Sequence, residues 1–324
     1  ELLQEHVAPA AFHNSGERLD PPKCHPNTRV AVQQKIMDWV MGLDVQALSA
    51  LIIWLYGSAG VGKSAIAQSI AELCSVNGCL LATFFFSRTD PSRNHSRYFL
   101  ATIAYQISTI LPSTRPLILK AIDRDPLIFT RSLSTQFTAL IIDPLQNLMD
   151  SGYIFELNSP RLVLVDGLDE CLDRQTQVSI IDFISNASLR RQIPLKFLIC
   201  SRPEYEISAA LNSADLMSIL TKVKLDDSFR PNDDIRVFFR EKFDNIKQNH
   251  PLKQFIPSSW PGVEVIKSLV EKSSGQFIYA STVIKYVISP RHRPPDRLNV
   301  ILNLRSAGRD LPFAELDALY MHIL

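Results

Sequence analysis

Apolar positions along the chain follow two rhythms. Short unbroken runs, Leu51 to Tyr56, Leu80 to Phe86, Leu162 to Val165 and Phe197 to Cys200, read as strands covered on both faces. Between them the spacing turns helical. Ile36, Trp39, Val40 and Leu43 give a helix starting near Thr28 one buried face. Lys63 to Ser75 carries Ile66, Ile70, Leu73 and Cys74 on one stripe. Further helices are predicted over Ser96 to Ile110 and over Thr135 to Met149, the latter interrupted at Pro144. A helix ahead of the last strand turns Val178, Ile181, Ile184 and Leu189 inward. Strand alternating with helix implies a doubly wound, parallel α/β sheet with right-handed crossovers.

Near Asp226 the rhythm becomes helical throughout. Asp233 to Gln248, Val263 to Ser273 and Phe277 to Ile288 read as the helices of a small all-helical domain. Arg291-His292-Arg293-Pro294-Pro295 reads as a linker, because two prolines interrupt a helix. Glu315 to Leu324 is amphipathic. The first thirty residues are rich in proline and polar groups and read as an extended arm.

Composition narrows the function classes. The 324 residues are 46% apolar and 21% charged, enough to bury a substantial core. A formal charge of +1 excludes a protein held mainly by duplex phosphates. The longest apolar runs fall far short of the roughly 18 residues of a membrane span, and no leader pattern is visible. A first residue other than Met suggests a piece of something longer. Cys24, Cys74, Cys79, Cys171 and Cys200 are odd in number and show no C-x-x-C spacing, so they read as reduced thiols of a cytoplasmic protein. In that setting the acceptor patterns at Asn94 and Asn186 are chance matches.

The strongest chemical signal is Gly57-Ser58-Ala59-Gly60-Val61-Gly62-Lys63-Ser64, which fits G-x-x-x-x-G-K-[ST] without a mismatch. Glycines let the backbone turn so that successive N–H groups form an anion nest. The following helix, entered through Ala65, adds its positive end. Lys63 supplies a point charge for the β- and γ-phosphates, and the Ser64 hydroxyl can ligate Mg2+. The chain has only 11 glycines, and three of them fall in this loop. An apolar strand leads in and an amphipathic helix leads out, so the context matches the motif.

Leu162-Val163-Leu164-Val165-Asp166-Gly167-Leu168-Asp169-Glu170 places carboxylates at the carboxyl end of a buried strand, where open α/β sheets bind ligands. Asp166 is placed to hold Mg2+. Asp169 and Glu170 lie one turn further on, where either could orient or deprotonate a water. Spacing does not choose between them; position favours Asp169, with Glu170 beside it. The next strand ends in Ser201-Arg202-Pro203, and the Arg202 guanidinium could report on a γ-phosphate.

Together, the Lys63 loop, the Asp166-Gly167-Leu168-Asp169-Glu170 string and Cys200-Ser201-Arg202-Pro203 resemble the NACHT domains of NOD-like receptors, which are signal-transducing ATPases with numerous domains. Cys24-His25-Pro26-Asn27-Thr28-Arg29, Phe84-Phe85-Phe86-Ser87-Arg88, Thr102-Ile103-Ala104-Tyr105-Gln106, Ser274-Gly275-Gln276-Phe277-Ile278-Tyr279-Ala280 and Leu316-Asp317-Ala318-Leu319-Tyr320 resemble fungal members in particular. The resemblance implies a switch that is closed with a diphosphate and opens and oligomerises with a triphosphate, ATP or GTP. It implies that Thr28 and Arg29 lie near the base and that Arg202 is the first sensor. Its domains would be an arm and helix over 1–49, a nucleotide-hydrolysing core over 50–225, a helical domain over 226–313 and the start of a winged-helix-like domain over 314–324. Effector and sensor domains would lie outside these residues. One departure is Phe277, where many relatives carry a proline that packs on the base. No N-K-x-D string for guanine is present; the nearest, Thr221-Lys222-Val223-Lys224, lacks the acid.

Three other readings compete. A small-molecule kinase would need a lid of several arginines; Arg88, Arg93 and Arg97 cluster, but Asp90, Pro91 and Asn94 among them read as a solvated turn. A scaffold that binds without hydrolysis conflicts with the intact acids. A nucleic-acid motor lacks a basic, aromatic-rich face.

Overall fold

The computed structural model describes residues 2–18, 20–156, 159, 161–190, 193–302 and 313. Expectations for Glu315 to Leu324, and for the 314–324 domain start, lie outside the described residues. The chain forms two compact units. The first takes in the residues up to Lys23, Ala31–Ser58 and Lys63–Leu225. The second takes in Cys24–Val30, Ala59–Gly62 and the chain from Asp226.

In the first unit, α1 (Val30–Val40, from Ala31 on) precedes β1 (Ile52–Tyr56), α2 (Lys63–Val76) and β2 (Leu80–Phe85). Next come α3 (Phe99–Ile110), α4 (Arg115–Arg124), α5 (Leu133–Phe137) and α6 (Asp143–Asp150). The unit ends with β3 (Leu162–Asp166), α7 (Arg174–Leu189), β4 (Lys196–Ser201), α8 (Tyr205–Leu211) and β5 (Leu220–Lys224). The five strands are all parallel in the order β2-β3-β4-β1-β5, an α/β sheet flanked by helices. β1 to β4 are apolar and almost wholly buried, as strands under helices on both faces must be. Register levels the carboxyl ends: Tyr56 pairs with Ser201, and Asp166 pairs with both Cys200 and Phe85. Residues paired in this way share a face of the sheet, so Phe85, Asp166 and Cys200 point to one side.

The second unit contains α9 (Pro231–Asn249), α10 (Val263–Ser273), α11 (Phe277–Val287) and α12 (Pro294–Ile301). Ile235, Phe239, Phe243, Leu269, Val283 and Val287 form its apolar centre. Among the described residues, no helix is long and apolar enough to cross a membrane.

Several local expectations are corrected. Leu43 is 69% exposed, because α1 ends at Val40 and Gly42 at φ 72° turns the chain. Leu73 and Leu189 face outward, while Ile66, Ile70 and Cys74, and Ile180, Ile181 and Ile184, supply the buried stripes. Pro144 does not break its helix: it sits in the first turn of α6, where no N–H is needed, and the preceding Thr138–Ile142 widens to a π turn. Pro294 and Pro295 likewise begin α12 instead of forming a linker. The arm is not merely extended; it folds into 3-10 turns at Gln4–His6 and Pro9–Ala11, with Ala8, Ala10 and Ala11 buried. Thr221-Lys222-Val223-Lys224 is part of edge strand β5.

Candidate functional site

Six residues join β1 to α2, and the loop turns through Gly60 at φ 78° and Gly62 at φ 100°. Both angles are left-handed, which glycine adopts freely. Lys63 opens α2 and Ser64 and Ala65 follow in its first turn. The Lys63 ammonium turns back on the loop, donating to the Gly57 and Ser58 carbonyls at 2.9 Å each. Burial lowers the pKa of Lys63, while the charges of Asp169 and Asp166 oppose that shift.

Asp166 ends β3 and is 4% exposed. Burial pushes its pKa up to about 7, against the Ser64 hydroxyl, which pulls it down; Glu170 raises it and Lys63 lowers it. Its Oδ1 is buried without a hydrogen-bond partner. Gly167 follows at φ 69°, and a Cβ there would stand 3.3 Å from the Phe86 carbonyl oxygen. That turn starts a short 3-10 helix, Leu168–Glu170, which brings both later acids back to the strand end.

The two acids are held differently. Asp169 is 3% exposed and is taken by Arg202, whose main-chain N–H donates to Oδ1 at 3.0 Å and whose Nε lies 3.2 Å from Oδ2. Glu170 accepts at Oε2 from the Arg88 main-chain N–H at 3.1 Å. Burial raises the pKa of Glu170 and the Arg88 amide opposes the shift. Arg88 Nη2 also donates to the Asp169 carbonyl at 3.2 Å. The first unit therefore gathers Gly57, Ser58, Lys63, Ser64, Ala65, Asp166, Asp169, Glu170 and Arg202 about the carboxyl ends of β1, β3 and β4. Sequence reasoning missed the part played by Arg88; its signals were membership of an arginine-rich turn just after a buried strand and its place at the end of the Phe84-Phe85-Phe86-Ser87-Arg88 string.

The second unit holds Thr28, Arg29 and the loop crest Ala59–Gly62. Arg29 is 4% exposed, with φ 55°. Its Nη2 donates to the Val61 carbonyl at 2.8 Å and its main-chain N–H to Asp234 Oδ2 at 3.1 Å. The guanidinium carbon lies 5.0 Å from the centre of the Phe277 ring, and Nε and Nη1 have no hydrogen-bond partner. Burial lowers its pKa and Asp234 raises it. Thr28 Oγ1 donates to the His25 carbonyl at 2.7 Å. The Gly60 carbonyl accepts from Ile278 N–H at 3.1 Å, and a Cβ on Gly60 would stand 2.4 Å from Ile278 Cγ2.

Residues 32–202 match the family model described as nephrocystin 3, N-terminal. No curated protein matches the chain.

Proposed function

The chain belongs to the nephrocystin 3 N-terminal family, and from that premise we propose that it is a P-loop nucleotide switch which binds ATP or GTP and hydrolyses it slowly. One observation carries this reading: a G-x-x-x-x-G-K-[ST] loop runs from a buried strand into α2, and the buried acid that ends β3, Asp166, keeps Oδ1 without a hydrogen-bond partner. Gly57 to Ala65 would hold the phosphates, with Lys63 leaving the loop carbonyls for them. The orphaned Oδ1 of Asp166 fits a divalent cation, so Ser64 and Asp166 would hold Mg2+. When bound, that ion would neutralise charge on the phosphate oxygens.

Glu170 is the better candidate to accept a proton from water, because both oxygens of Asp169 are engaged by Arg202. In this reading Asp169 anchors the sensor guanidinium, and a γ-phosphate would compete for it. Arg88 and Arg93 are engaged within the unit, by Asp169 and Asp90, which supports a switch over a kinase with an arginine lid. The resemblance alone would assign Thr28 and Arg29 to the base. The finer identity, a NACHT-type switch of fungal kind that oligomerises in non-self recognition, rests on the quoted strings. Five free cysteines, four of them buried, fit a cytoplasmic setting.

Calorimetric titration with ADP, GDP and non-hydrolysable triphosphates tests the reading. The wild type binds one of them, and Lys63→Ala weakens binding by at least tenfold. Equal binding by Lys63→Ala overturns it.

A further inference from the structure

Residues 3–18 reach the phosphate-loop helix from a direction the motif does not predict. The Ala8 N–H donates to the buried Thr102 hydroxyl at 2.9 Å, and the His13 N–H to Thr83 Oγ1 at 3.0 Å. His6 stacks on Phe129 with ring centres 4.1 Å apart, and Phe12 stacks on Tyr105 at 6.1 Å. The arm is thus fastened along β2 and α3. It then crosses to α2 at Gln68, which is 1% exposed.

Gln68 is one helical turn beyond Ser64. Its Nε2 donates to the His13 carbonyl and to Glu72 Oε1, and its Oε1 accepts from Arg18 Nη1, each at 2.8 Å. Arg18 also donates to the Phe12 carbonyl at 3.4 Å, and its guanidinium carbon lies 3.9 Å from the centre of the Phe85 ring. Phe85 pairs with Asp166 across the sheet on the same face. The guanidinium is therefore clamped beside the strand that neighbours Asp166. The charge of Asp166 acts on it accordingly, raising a pKa that burial lowers. Arg93, donating to the Phe85 carbonyl at 3.3 Å, and Glu72 are the other charges acting on Arg18.

We propose that the arm is a working part of the phosphate site and that Arg18 is a positioning residue which sets the affinity of the Asp166 carboxylate for Mg2+. The inference rests on the nucleotide reading above. A fixed guanidinium near a carboxylate with one unpartnered oxygen competes with a divalent cation through simple repulsion. Gln68 and the Phe85 ring keep it from swinging away. Removing the charge should tighten Mg2+ binding by about three- to tenfold, the scale expected of a partly buried charge acting on a carboxylate of the neighbouring strand.

The test uses the 324-residue chain. Mg2+ is titrated into wild type, Arg18→Gln and Arg18→Lys, each with ADP or GDP, whichever the wild type retains. Nucleotide affinity in EDTA is measured alongside. Arg18→Gln is expected to lower the Mg2+ midpoint by about three- to tenfold while its affinity in EDTA stays within about twofold of wild type. Arg18→Lys restores the wild-type midpoint. If Arg18→Gln does not fold, Arg18→Met, which keeps the contact with Phe85, takes its place. An unchanged midpoint, or equal weakening with and without Mg2+, overturns the proposal and leaves the nucleotide reading standing. A wild type that binds no nucleotide, or binds no better than Lys63→Ala, removes both.

Discussion

Arg202 holds Asp169 at both carboxylate oxygens, through its main-chain N–H at 3.0 Å and its Nε at 3.2 Å. The two residues are 33 positions apart, so only the β3–β4 pairing brings them together. A buried carboxylate gripped in this way is an anchor, and under the proposed nucleotide reading proton transfer would fall to its neighbour, Glu170. Glu170→Gln is expected to slow single-turnover hydrolysis by about a hundredfold or more while binding stays within twofold. Asp169→Asn should instead narrow the preference for triphosphate over diphosphate, because Arg202 loses its anchor. Normal hydrolysis in Glu170→Gln together with its loss in Asp169→Asn would reverse the roles.

Gly60 and Gly62 separate two kinds of constraint in one loop. Both have positive φ, 78° and 100°, but a Cβ on Gly60 would strike Ile278 Cγ2 at 2.4 Å, while nothing lies within 4 Å of one on Gly62. Gly62→Ala is expected to lose about 1 kcal/mol from backbone strain alone. Gly60→Ala adds a clash with a side chain on α11, so it should lose about 1–3 kcal/mol more. Urea unfolding of both variants checks the order; equal losses would mean that Ile278 moves aside freely.

What the sequence revealed and what it hid divide along physical lines. β1 to β4 were legible because strands buried on both faces carry unbroken apolar runs, and the β1–α2 turn because its glycines mark a backbone that goes left-handed. β5 was not, since an edge strand with Lys222 and Lys224 exposed and only Val223 buried has no apolar signature. α4 and α8 are short, and α4 buries only Ile118 and Ile122. Pro294 misled because a proline that stops one helix also starts another. The arm's grip on Gln68 joins residues 50 and 55 positions apart through hydrogen bonds, and periodicity does not report hydrogen bonds.

Trp54 on β1 donates its indole N–H to the Ser201 hydroxyl on β4 at 2.8 Å, in a buried setting. Ser201→Ala leaves that donor unpaired, which should destabilise by about 1–3 kcal/mol. The position adjoins Arg202, so the same variant should be assayed for nucleotide binding, where no change is expected. A fall in urea midpoint with unaltered affinity is the predicted result. A midpoint equal to wild type would mean that the indole finds another acceptor.

Lys196, the first residue of β4, is 8% exposed and directs its ammonium to the Trp39 and Val40 carbonyls at the end of α1. Burial lowers its pKa from 10.5 to about 8, with the Arg161 charge adding to the shift and Cys79 opposing it. The folded state then holds fewer protons than the unfolded state between those two values. Stability contributed at this site is therefore fully present above pH 10.5 and is lost as pH falls toward 8, with a limiting slope of about 1.4 kcal/mol per unit. Lys196→Met removes the titration but leaves two helix-end carbonyls without their donor. Wild type should gain on Lys196→Met as pH rises from 8 to 10, measured as the difference in unfolding free energy in urea. A difference that stays flat across that window would mean that Lys196 keeps its proton in the folded protein.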